Sequence, residues 1–105
     1  MIQKGFNLNF LTWNLYLGAN IVPLFFPPPT KEELPKITEE VYRQFSATNF
    51  PVRARAIAKQ IKEINPDIIG LQEVAIWTLS PPQGTKASKV VTDFLNILLC
   101  TLKKR

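Results

Sequence analysis

Two oxygen-bearing side chains close two apolar runs in this chain. Asn14 ends Phe10-Leu11-Thr12-Trp13-Asn14, and Glu73 ends Asp67-Ile68-Ile69-Gly70-Leu71-Gln72-Glu73. If the runs are neighbouring strands that point the same way, both ends emerge on one edge of a sheet, where open α/β sheets bind ligands. An amide oxygen and a carboxylate meeting there make an all-oxygen donor set. Such a set suits Mg²⁺ or Mn²⁺ better than zinc or copper. A cation so held can orient a phosphate oxygen and offset charge that develops in a transition state. Taken singly, each residue has a plainer role: Asn after a strand is commonly a turn residue, and a Glu there is commonly solvated. Only parallel pairing makes them a constellation. The chain contains no histidine, so it lacks the side chain best suited to proton transfer near neutral pH.

The elements that must position this pair can be read in order. Leu8 to Leu15 predicts a first strand with apolar residues on both faces, as in an internal strand covered on both sides. Gly18 marks a turn, and Pro27, Pro28 and Pro29 break regular structure. The apolar segment Ile21 to Phe26 either packs on the domain or forms a mobile lid. Thr30 and Glu33 have capping-box spacing, and with Pro35 close behind they predict a short turn before a helix from Pro35 to Phe45. Leu34, Ile37, Val41 and Phe45 are its expected buried stripe. Pro51 opens a second helix, Arg53 to Ile64, which turns Ala54, Ile57, Ala58, Ile61 and Ile64 inward. Arg55, Lys59, Gln60, Lys62 and Glu63 are expected on its solvated side; Arg53 and Arg55 could approach a phosphate, although charges on a helix usually form a solvated face. Asn65-Pro66 ends it, and Asp67 to Val74 is the second strand. Pro81, Pro82 and Gly84 predict a loop. Val90, Val91, Phe94, Leu95, Leu98, Leu99 and Leu102 predict a last amphipathic helix.

Two strands joined by a helical crossover should run parallel, with a right-handed connection. Two strands and three helices complete no familiar sheet architecture, so the expected fold class is an incomplete α/β arrangement. Trp13 and Trp77 read as packing residues, and so does Tyr16, although it sits near the candidate edge. Cys100 is the only cysteine. No intramolecular disulfide can form, and its apolar neighbourhood predicts a small buried hydrophobe.

A length of 105 residues fits one domain with a small core. A hydrophobic content of 46% argues against disorder. The net charge of +5 would attract phosphate-bearing partners. The basic residues look spread along the chain, with Lys103, Lys104 and Arg105 in the tail. A simple basic nucleic-acid-binding domain therefore ranks behind the metal-site reading. Met1 to Phe10 has no signal-peptide pattern, and no apolar run reaches membrane-spanning length. The expectation is a soluble cytoplasmic protein, or a secreted one if a leader lies upstream.

Phe10-Leu11-Thr12-Trp13-Asn14 resembles the first strand motif of the endonuclease/exonuclease/phosphatase (DNase I-like) superfamily. Asn65-Pro66-Asp67-Ile68-Ile69-Gly70-Leu71-Gln72-Glu73-Val74 resembles the second, which ends in the family's metal-binding glutamate. Asn14-Leu15-Tyr16-Leu17-Gly18-Ala19-Asn20, Ala47-Thr48-Asn49-Phe50-Pro51-Val52-Arg53-Ala54 and Trp77 are similar to a bacterial branch of that superfamily. The resemblance runs to about Leu102. It implies a Mg²⁺-dependent phosphodiesterase or phosphomonoesterase, with Mn²⁺ as a substitute. In it Glu73 would be a direct metal ligand, and Asn14 would help position the phosphate or the metal. The substrate would be a phosphoester: nucleic acid, a phospholipid headgroup or a sugar phosphate. The family's catalytic histidine, its water-orienting aspartate and its late Asp-His pair have no counterpart in this chain. Its fold is a four-layer αββα sandwich, of which residues 1–105 would be the N-terminal third, a partial domain. The resemblance thus implies a metal-binding segment that is inactive as an isolated chain, and its uncovered apolar surface predicts self-association. The alternative is a small non-catalytic α/β interaction module, or a degenerate, truncated gene product.

Overall fold

In the computed structural model, which describes residues 5–80 and 89–104, the first apolar run forms strand β1, Phe10–Asn14. The run after Pro66 forms β2, Ile68–Gln72. Both are shorter than their apolar patterns predict. They pair in parallel, with Phe10 opposite Ile68 and Asn14 opposite Gln72. Helices α1, Leu34–Ala47, and α2, Phe50–Ile64, make the crossover between them. Thr30 and Glu33 exchange capping bonds of 3.2 and 3.3 Å just before α1. Pro35 therefore falls in the first turn, where a missing N–H is harmless. Asn49 caps α2 by accepting from the Val52 amide, and Asn65 ends it in the left-handed conformation that asparagine tolerates.

The core lies between the helices and one face of the parallel pair. Val41 and Phe45 of α1, and Ala54, Ile57, Ala58 and Ile61 of α2, are buried there, as are Leu15 and Ala19 after β1. Leu11, Trp13, Ile69 and Leu71 pack against them from the sheet. The opposite face is open: Phe10, Thr12, Asn14, Ile68, Gly70 and Gln72 are exposed, Phe10 by 72%. The expectation of a strand covered on both sides is thus corrected, because no described element packs on that face. Parallel sheets ordinarily carry cover on both.

The end of the chain departs furthest from expectation. Strands β3, Ile76–Leu79, and β4, Lys89–Asp93, form an antiparallel pair that the predicted element order lacks. Val90 and Val91 belong to β4, and helix α3 spans Phe94–Lys103. Their spacing of four and three residues from Phe94 imitated a helical stripe. Val90-Val91-Thr92, however, is a β-branched run that favours extended backbone. Asp93 then starts the helix by accepting from the Asn96 amide at 3.1 Å. The predicted loop at 81–84 lies outside the described residues.

Helix α3 buries Phe94 and Leu98 against α2, and the rings of Phe50 and Phe94 stack 3.8 Å apart and 4° from parallel. Cys100 is exposed, contrary to expectation. At about 100° per residue, it lies some 200° around the helix from buried Leu98. Leu34 and Ile64, at the outer ends of their stripes, are exposed as well. The segment after Gly18 resolves into a 3-10 turn, Val22–Leu24. Ile21 and Leu24 pack on the core, while Phe25 and Phe26 are exposed. No described helix is long and apolar enough to cross a membrane.

Candidate active site

The register that sets Asn14 opposite Gln72 makes Glu73 the first residue beyond the neighbouring strand. Parallel pairing therefore brings the two to the same sheet edge. The Leu15 amide continues the ladder one step by donating to the Gln72 carbonyl at 3.0 Å. Asn14 Oδ1 accepts from the Tyr16 amide at 2.8 Å. Glu73 Oε1 accepts from the Leu17 amide at 3.4 Å. Both candidate side chains thus hold the turn 15–17, and both remain exposed. Tyr16 and Glu73 adopt positive φ angles of 56° and 54°. That conformation costs a residue with a side chain about 1–2 kcal/mol, and such outliers cluster at functional sites.

The carbonyls of the same turn are held from outside the parallel pair. Arg53 donates from Nη1 to the Leu15 oxygen at 2.6 Å, from Nη2 to the Tyr16 oxygen at 3.1 Å, and from Nε to the Thr48 oxygen at 2.7 Å. Trp77 donates from Nε1 to the Leu17 oxygen at 2.7 Å, and its indole stacks on Phe45 at 4.3 Å. All six backbone N–H and C=O groups of residues 15–17 therefore have partners. None of the turn's backbone groups is left needing another partner.

Arg53 is the residue that the sequence reading misplaced, on a solvated helix face. It is half-buried, and it lies 5.1 Å from the Phe50 ring centroid and 5.5 Å from that of Tyr16. Burial pushes its pKa below the usual value, but a guanidinium stays cationic at any ordinary pH. One signal could have found it. A crossover helix that feeds a parallel strand runs opposite to it and so starts near the sheet's carboxyl edge, within reach of a long donor on its first turn. Trp77 is a packing residue as expected, with a positioning bond in addition.

Replacing Arg53 by Met removes three charge-assisted bonds, two part-buried and one exposed; such bonds contribute about 1.5–3 kcal/mol, and less where solvent screens them. Amide exchange at Leu15 and Leu17 is expected to quicken at least about tenfold, the equivalent of 1.4 kcal/mol. Unchanged protection by NMR would show that the turn holds without the guanidinium.

The site's exposed hard donors are the oxygens of Asn14 and Glu73. Among the described residues, no group of three or more His, Cys, Asp or Glu side chains gathers at one point. Comparison with curated proteins and with solved structures finds no match. The model of the Endonuclease/Exonuclease/phosphatase family matches residues 11–92, from β1 through the crossover and β2 to β4. With that match covering most of its length, and with Asn14, Glu73 and all of both strand motifs but Phe10 inside it, the chain belongs to the Endonuclease/Exonuclease/phosphatase family.

Proposed function

We propose that this chain supplies the metal-binding edge of a Mg²⁺-dependent phosphoester hydrolase, with Glu73 as a direct ligand and Asn14 beside it. The observation that carries the reading is the shared mount: both side chains bond to one turn whose backbone groups are all satisfied. Their oxygens then keep a fixed relation to each other. The donor chemistry fits a hard cation, since carboxylate and amide oxygens with water completing the shell suit Mg²⁺ and Mn²⁺. Leu17 engages Glu73 Oε1, and Oε2 has no hydrogen-bond partner among the described residues. Asn14 accepts through Oδ1, so its NH₂ group is available to donate to a phosphate oxygen. A bound Mg²⁺ would orient a phosphate oxygen and offset charge during in-line attack by water.

With two protein ligands, most of an octahedral shell is left to water, and affinity should be weak, around millimolar. Mn²⁺ titration followed by NMR tests this. Paramagnetic broadening is expected first at Leu17 and Glu73, and it should vanish in Glu73→Gln. Broadening centred elsewhere, or indifferent to that change, would remove the metal assignment.

The second reading, an interaction module, is favoured by the open sheet face. Phe10 and Ile68 are exposed there by 72% and 44%, beside strand edges that pair with nothing described. The radius of gyration of 18.8 Å exceeds the roughly 13 Å of a compact domain of this length. Unpaired edges and uncovered apolar faces promote association. Light scattering after size exclusion is expected to give a mass above the 12.0 kDa of one chain. A monodisperse monomer with a sharp melt would overturn this reading.

A further inference from the structure

Helices α2 and α3 run side by side in the same direction. Phe50 and Phe94 stack at their first turns, and Lys62 Nζ donates to the Lys104 carbonyl at their last. Between them lies a groove of about 540 Å³. Its charged lining is Arg55, Lys59 and Lys62 from α2 and Lys104 after α3, with no carboxylate among them. Glu63 lies beyond Lys59, in the adjoining hollow on α2. The only ion pair among the described residues is Arg43 with Glu40, on α1. The helical period sets Arg55, Lys59 and Lys62 on one face of α2, and the helix pairing brings Lys104 to them. At 1.5 Å per residue, Arg55 and Lys59 stand about 6 Å apart along the helix axis, and Lys62 a further ~4.5 Å on.

We propose that this groove is a binding site for the phosphate backbone of nucleic acid. A row of cations with no carboxylate partner along a channel matches a ligand whose charges repeat along a line. The lining has no aromatic side chain, so the contact would be with backbone and independent of sequence, without base stacking. A lipid surface fits less well, because the cations line a concave groove rather than a flat or convex face. Neither Asn14 nor Glu73 lines the groove, so binding there needs no metal and does not depend on the hydrolase reading.

Each neutralised phosphate contributes about −0.9 to the slope of log K against log salt, so four cations predict a slope of roughly −3.6. The test is fluorescence anisotropy of a mixed-sequence 12-base-pair duplex with the full chain, in EDTA, from 50 to 200 mM salt. Arg55→Gln combined with Lys59→Gln should make the slope shallower by about 2 and weaken binding on the order of 100-fold at 50 mM salt. Both residues are exposed, so the fold should tolerate the change. Lys31→Gln with Lys36→Gln matches the lost charge away from the groove and should cost less than about threefold. Glu73→Ala should bind the duplex as the parent does, which separates this site from the metal edge.

Cys100 supplies a reading without substitution, since it is the only cysteine and lines the groove. Saturating duplex should slow its labelling by a neutral maleimide at least about fivefold. Equal affinities for the groove and control variants, unprotected Cys100, or preference for anionic phospholipid vesicles over the duplex would each overturn the proposal.

Discussion

Incubated with Mg²⁺ or Mn²⁺, the purified 105-residue chain is expected to leave plasmid DNA and a chromogenic phosphodiester intact, at the rate of a protein-free control. Phosphoester hydrolysis needs more than a positioned cation. It needs a group to orient and deprotonate water, and donors placed where charge develops on the phosphate. General acid–base groups contribute about 10²–10⁴ in rate, and a preorganised oxyanion donor about 10²–10³. This chain has no histidine. At the edge holding Asn14 and Glu73, no cluster of three titratable ligands forms among the described residues. Arg53, the nearest cation to the turn, spends its guanidinium on three backbone carbonyls. Measurable hydrolysis that disappears in Glu73→Ala would show that these residues suffice, and the requirement for further groups would be wrong.

Phe94→Ala is expected to lower the melting temperature by at least about 12 °C, or to abolish the folding transition. Phe94 is completely buried, and Phe50, its stacking partner, is 1% exposed. Cutting a core phenylalanine to alanine costs about 3–5 kcal/mol. In a domain of this size each kcal/mol shifts the midpoint by roughly 4–8 °C. The core is small and has one open sheet face, so little else could absorb the loss. The same change should detach α3 from α2 and erase the basic groove between them. Circular dichroism of the melt reads the effect. A midpoint within about 5 °C of the parent would show that α3 is not part of the cooperative core.

Signals confined to a few neighbouring residues were legible in the sequence. Apolar runs marked β1 and β2, and the helical stretch between them was compatible with parallel pairing, which needs a long crossover; the register of the folded strands then fixed it. Thr30 with Glu33, Pro51, and Asn65-Pro66 marked helix boundaries within a few residues. Placement of Asn14 and Glu73 on one edge followed from that topology alone. The pair β3–β4 is hidden in the sequence because Val90 and Val91 satisfy two periods at once, and only the pairing of Val90 with Thr78 and of Thr92 with Trp77 selects the strand. What the tertiary structure decided lies at long sequence separation. Arg53 meets Leu15 across 38 residues, Glu73 meets Leu17 across 56, and Trp77 meets the same residue across 60. Side-chain periodicity tells which way a residue faces on its own element. It carries no information about which distant carbonyl, ring or cation the folded chain brings to meet it. Arg53 and Arg55 look alike in the sequence, yet α2 turns one toward the β1 turn and the other into the groove beside α3.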